Sequence, residues 1–129
     1  MRADARSLVT EQFEKFLSDE SNCQYTPALV HGDFGRTNIL YNARTKNISG
    51  IIDFGSVRWG DPAVDFAAIL SPVCYGESFL GRFSVHYPGI EAVLSRARFY
   101  VGTFALQDAL FGLEDDDHET FESGIAKYR

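Results

Sequence analysis

Leu29-Val30-His31-Gly32-Asp33-Phe34-Gly35-Arg36-Thr37-Asn38-Ile39-Leu40-Tyr41 is the stretch whose reading decides the fold of this chain. An apolar pair runs into His-Gly-Asp, four residues follow, and Asn38 opens a second apolar run. Ile39–Tyr41 and Ile48–Ile52 are β-type runs rich in Ile, and NARTKN between them supplies turn residues. A β-hairpin is therefore expected. An antiparallel hairpin sets the start of its first strand beside the end of its second. Asp33 and Asn38 before the first strand, and Asp53 after the second, should then converge at one end. Two carboxylates and a carboxamide offer only oxygen donors, which suit a hard cation such as Mg²⁺. A metal held by few protein oxygens leaves positions for phosphate and water, as phosphoryl transfer requires. A neighbouring carboxylate can also take the proton of an attacking hydroxyl. Taken alone, Asp33 reads as a turn cap and His31 as a loop hydrogen-bonding residue; the shared register with Asn38 and Asp53 favours a functional Asp33.

Outward from this stretch the pattern is helical. Val9, Phe13, Phe16 and Leu17 share one face of a helix expected over 4–18, and Ser18–Pro27 breaks it. Asp61-Pro62 has the form of a helix start, Asp as N-cap and Pro in the first turn, with Ser71-Pro72 as the stop. A short helix over 77–83 ends at Tyr87-Pro88-Gly89. Ile90–Gly112 is the longest helical run and apolar on several faces, which predicts a central, buried helix. A weaker helix follows over 118–128. Asp61 reads only as a cap, and Asp108 as the salt-bridge partner of Arg96 or Arg98. Glu114-Asp115-Asp116-Asp117 reads as a solvated acidic loop. The fold class is mainly α with one small β-hairpin, over a single domain of residues 1–129.

Composition narrows the function classes. The chain has 129 residues, 45% of them apolar, and its 11 Phe and 6 Tyr argue against disorder. A formal net charge of −6 argues against a nucleic-acid partner, which would meet a basic face, and suits a cationic ligand. No apolar run approaches the roughly 18 residues of a membrane span, and MRADARSLVT lacks an apolar signal core. Cys23 and Cys74 lack both a disulfide framework and zinc-site spacing, so reduced thiols and a cytoplasmic location are expected.

His31-Gly32-Asp33-Phe34-Gly35-Arg36-Thr37-Asn38, then Ile52-Asp53-Phe54-Gly55, then Gly60-Asp61-Pro62-Ala63-Val64-Asp65-Phe66-Ala67 stand in this order within a short span. Together they resemble the three motifs of the aminoglycoside phosphotransferase and choline kinase-like families. The resemblance implies the C-terminal, larger lobe of a protein kinase-like fold. It implies ATP as co-substrate, Mg²⁺ as cofactor, and a small-molecule hydroxyl as acceptor, an aminoglycoside among the candidates, with antibiotic resistance as the consequence. Asp33 would be the catalytic base. Asn38 and Asp53 would hold Mg²⁺ on the nucleotide phosphates, and Arg36, inside the loop, would contact phosphate. His31 would position the loop, and Asp65 would brace it by hydrogen bonds. A protein kinase fits less well: Gly32 and Gly35 stand where its loop carries Arg and Lys.

The same resemblance marks parts that are not in this sequence. Only 30 residues precede His31, there is no Gly-x-Gly, and none of Lys15, Lys46 and Lys127 lies on a strand before the loop. The expectation is a lobe without its N-terminal nucleotide-binding partner, a weak ATP binder with little turnover, whose exposed apolar face favours self-association. Two other readings stay open. One is a non-catalytic kinase-like lobe serving as an interaction module. The other is a metal-dependent hydrolase built on the His-x-Asp pair.

Overall fold

The computed structural model describes residues 2–129, which form short strands, helices and 3₁₀ turns. The strands are β1 (Ala28–Val30), β2 (Ile39–Asn42), β3 (Asn47–Ile51) and β4 (Arg58–Gly60). The expected hairpin is β2 and β3, antiparallel, with Ile39 opposite Ile51 and Asn42 opposite Asn47. Its turn is closed by Asn42 Oδ1, which accepts from the amides of Arg44 and Thr45, with Lys46 left-handed at φ 57°. The second pairing, β1 with β4, was not legible in the sequence. Val30 stands opposite Arg58 and Ala28 opposite Gly60. Three residues are too few for an alternating pattern to register, and Trp59 at the centre of β4 is 74% exposed.

The helices are α1 (Ala3–Ser18), α2 (Ala63–Leu70), α3 (Leu80–Phe83), α4 (Ile90–Glu114) and α5 (His118–Ile125). Single 3₁₀ turns lie at Glu20–Cys23, Arg36–Asn38, Phe54–Ser56, Glu77–Phe79, Ser84–His86 and Ala126–Tyr128. The mainly helical class with one small hairpin is thus as the sequence implies.

The chain divides into two compact units, one of residues up to Gln24 with Gly102–Arg129, the other Tyr25–Val101. In the first, the backbone amide of Arg2 donates to the carbonyl of Tyr128 at 2.9 Å, and Tyr128 is buried. Gly112 and Gly124 let α5 approach the end of α4 closely. A Cβ at Gly112 would meet the backbone of Phe121 and Asp117, and one at Gly124 the backbone of Ala109 and Ala105. Asp117 caps α5, accepting from the amide and hydroxyl of Thr120 at 3.1 and 2.6 Å. It is therefore a structural residue rather than free acidic surface, and those bonds hold its carboxyl below the usual range. On α1, Val9 and Phe16 are half-buried but Phe13 and Leu17 are exposed, so the stripe read from the sequence is only partly covered.

In the second unit the core is Val30, Ala63, Ala67, Leu70, Ile90, Val93, Leu94 and Ala97. The last four recur at i, i+3, i+4 and i+7, one face of α4. The expectation that α4 is buried on several sides needs correction. Glu91, Ser95 and Arg98 are exposed here, and further along Leu110, Phe111 and Leu113 are exposed as well. A rich apolar composition does not bury a helix face that no other element covers.

Candidate active site

β1 delivers the chain to the motif loop. Val30 is buried, and His31 after it is buried too. The amides of His31 and Gly32 donate to the two carboxylate oxygens of Asp65, at 2.8 and 2.9 Å. Asp65 lies in the first turn of α2, where unpaired helix N–H groups favour a carboxylate. Gly32 has φ +83°, and a Cβ there would stand 2.5 Å from both the Ser56 carbonyl oxygen and Arg58 Nη1. The position therefore demands glycine for conformation and for space.

The His31 ring is held at both nitrogens. Nδ1 accepts from the Asp33 amide at 3.3 Å, and Nε2 lies 2.8 Å from the carbonyl oxygen of Ile52. One nitrogen must accept, so the other carries the proton and donates; the Nε2–H tautomer follows. The ring also packs against Phe54 and Phe34, with centroids 4.9 and 5.7 Å away.

Asn38 closes the loop. Its Nδ2 donates to the Asp33 carbonyl at 2.8 Å and to Asp33 Oδ2 at 3.0 Å. Its own carbonyl accepts from the Ile52 amide at 3.0 Å. Ile52 is thereby clamped on both sides, by Asn38 at its N–H and by His31 at its C=O. Asp53, the next residue, is exposed and left-handed at φ 63°, ψ 64°. A non-glycine residue there persists only where its surroundings dictate it. Asp33 and Asn38 are in direct contact, and Asp53 is carried to the same end of the hairpin through its neighbour. Arg36 is exposed on the Arg36–Asn38 turn, with no hydrogen bond or ion pair to the described residues.

The oxygen donors fit a hard cation. Both contacts of the Asn38 side chain use its NH₂ group, leaving the carboxamide oxygen uncommitted. Neither Asp33 Oδ1 nor the Asp53 carboxylate hydrogen-bonds within the described residues, so each can serve a cation or a substrate proton. No group of three or more His, Cys, Asp or Glu side chains among the described residues makes a metal site by itself. The candidate set therefore depends on the carboxamide.

Asp61 is more than a cap. It accepts from the Ala63 amide at 3.0 Å, and it also takes Arg96 Nε and Nη2 at 2.6 and 2.9 Å and the Tyr100 hydroxyl at 3.0 Å. Asp61 and Arg96 are both buried. Burial alone would raise the Asp61 carboxyl, but the bonds from Arg96, Ala63 and Tyr100 and the Arg96 charge outweigh it and hold it below the usual range. Arg98 pairs with exposed Glu77 at 2.9 Å. Asp108 is thus not the partner of either arginine; Asp61 and Glu77 already fill that place, from 35 and 21 positions away. Sequence reasoning also missed Ser56 and Arg58 over Gly32, and Phe54 against His31. Gly32, inside the motif loop, is of the one residue type there that suits a positive φ and a close backbone approach. Below the loop, Leu29, Phe34, Phe54, Val57, Phe66 and Ile69 line a cavity of about 290 Å³ whose polar edge is His31 and Asp65.

A loop braced by a helix-borne aspartate, followed by a hairpin and an Asp-Phe-Gly turn entered through a left-handed Asp53, defines the larger lobe of the protein kinase-like fold. A model of the phosphotransferase enzyme family matches residues 2–100. Viomycin phosphotransferase from Streptomyces vinaceus is 39% identical over 107 residues, 81% of this chain and 37% of that protein. The GDP and kanamycin complex of APH(2")-IIia superposes with a TM-score of 0.84 at 25% identity, over 98% of this chain and 43% of that one. The streptomycin-ATP ternary complex of APH(2")-IIa gives 0.73 at 26% identity, over 98% and 42%. The chain belongs to the phosphotransferase enzyme family. It spans about two fifths of the length of these relatives.

Proposed function

We propose that this chain is the catalytic lobe of a phosphotransferase that moves the γ-phosphate of ATP to a hydroxyl of a small, antibiotic-like molecule. An aminoglycoside is the leading acceptor class. The observation that carries this reading is the Asp33–Asn38 pair. Asn38 holds Asp33 Oδ2 and the Asp33 carbonyl, which fixes the carboxylate while leaving Oδ1 to receive a proton. Asp33 takes the proton of the acceptor hydroxyl as it attacks phosphorus. The carboxamide oxygen of Asn38 and the carboxylate of Asp53 are the groups that would hold Mg²⁺. Bound there, Mg²⁺ would neutralise phosphate charge and orient the transferred group. Arg36 is free to meet phosphate oxygens. His31 and Asp65 keep the loop backbone in place. A cationic acceptor matches the acidic chain of net charge −6, and two free thiols suit a cytoplasmic setting.

Turnover by these 129 residues alone is expected to be slight, since no Gly-x-Gly or strand lysine precedes the loop. The test therefore uses both this chain and the longest natural polypeptide containing it. Each is offered ATP, then GTP, with aminoglycoside, peptide-antibiotic and macrolide acceptors, and transfer is read by mass. Asp33→Asn should lower turnover by roughly 10²–10⁴-fold. An unchanged rate would remove Asp33 from the base role. Metal binding has its own readout in this chain: Mn²⁺ should broaden the amide signals of Asn38 and Asp53 before others, and uniform broadening would rule against that ligand pair.

A further inference from the structure

We propose that Arg96 and Tyr100 are positioning residues for the His31–Asp33 loop, acting through Asp61 and the first turn of α2 on Asp65. The chain of contacts is continuous. Arg96 and Tyr100, on α4, together present three donors to the Asp61 carboxylate. Arg96 is itself fixed by a bond from Nη1 to the Ala92 carbonyl at 3.1 Å and by the Tyr25 ring, 5.4 Å from its guanidinium carbon. Asp61 in turn sets the start of α2: its side chain takes the Ala63 amide, and its carbonyl takes the Val64 amide at 3.1 Å. Asp65, four residues on, lies one helical turn away and reaches the loop with both oxygens.

The arrangement is sensitive to small displacements. Asp65 meets two successive amides with two different oxygens, so a shift of α2 by about 1 Å would carry both contacts beyond hydrogen-bond range. The loop is also approached from the other side, because β4 pairs with β1 and runs directly into Asp61. A buried ion pair adds little to stability over apolar residues of similar volume. Its distinctive contribution is a fixed orientation, delivered here to the helix end that carries Asp65.

The link to catalysis rests on the phosphotransferase reading, whereas the coupling itself does not. The experiment therefore needs no activity. In the ¹⁵N-labelled chain, amide hydrogen exchange is followed at His31 and Gly32, and the ring nitrogen shifts of His31 report its tautomer. Arg96→Lys keeps the charge but loses the two-pronged contact; Tyr100→Phe removes one donor; Arg98→Lys, on the exposed Glu77 pair, is the control. Asp65→Ala sets the size of the full effect. Arg96→Lys and Tyr100→Phe should each speed exchange at His31 and Gly32 by roughly tenfold and move the His31 ring shifts towards a tautomer mixture. Arg98→Lys and the β2–β3 amides should stay unchanged. Acceleration spread evenly over 25–101, or loop signals unmoved in the folded variants, would overturn the proposal. If Arg96→Lys does not fold, Tyr100→Phe decides by the same readouts.

Discussion

Gly32 shows how much one position can decide. Its φ of +83° and the Ser56 carbonyl beside it leave no place for a Cβ. Gly32→Ala must adopt a left-handed backbone and also push Ser56 and Arg58 away. The expected cost is about 2–4 kcal/mol of stability, read from the denaturant midpoint, with Gly35→Ala, whose Cβ would meet only Thr37 at 3.8 Å, as the neutral comparison. A loss no larger than that of Gly35→Ala would mean that the loop can relax. The identities of His31, Asp33, Asn38, Asp53 and Asp65 could be picked out as a group from their order in the chain. What each side chain touches could not, because Asp65 reaches His31 across 34 positions and His31 reaches Ile52 across 21.

At the scale of elements, the junction of α2 and α4 is held by polar groups in an apolar setting. Burial, followed by the hydrogen bond to Asp61, pushes the Tyr100 hydroxyl from 10.0 up to about 12. The folded state therefore keeps a proton that the unfolded chain gives up. Stability from this group is complete below pH 10 and is lost as pH rises towards about 12. Asp61 has the opposite sign. Its folded carboxyl lies below the ordinary 3.8, so its contribution is present above that value and fades as pH falls through the lower one. Melting temperature against pH should accordingly decline at both ends. Tyr100→Phe should flatten the alkaline limb and cost about 1 kcal/mol at neutral pH. An alkaline limb of unchanged steepness in Tyr100→Phe would assign it to other groups. The exposed Arg98–Glu77 pair should matter far less. Elements with long periodic patterns were legible: α1, the hairpin and α4 fall within a few residues of their expected bounds. β4 was not, because three residues carry no period and its partner β1 lies 28 or more positions away.

For the molecule as a whole, apolar surface beside the loop is the conspicuous property. Leu29, Trp59, Phe54, Val57, Ile51 and Ile52 are all exposed around the β strands. Patches of this kind favour association, so the solution mass of the chain is expected to rise with concentration. Trp59 is the one tryptophan, and its emission should shift to the blue as association proceeds. A constant monomer mass with unshifted emission would reject this. No helix among the described residues is long and apolar enough to cross a membrane. By itself the sequence determined the helical class, the hairpin, and the order in which His31, Asp33, Asn38, Asp53 and Asp65 occur. Periodicity, turn chemistry and motif spacing are local properties, carried by neighbours in the chain. Only the tertiary structure decided that Arg96 belongs to Asp61 and not to Asp108, that β1 pairs with β4, and that Gly32 lies under Ser56. Those pairings depend on which distant groups share a buried space, where an unpaired charge or amide is costly and the nearest suitable partner takes it.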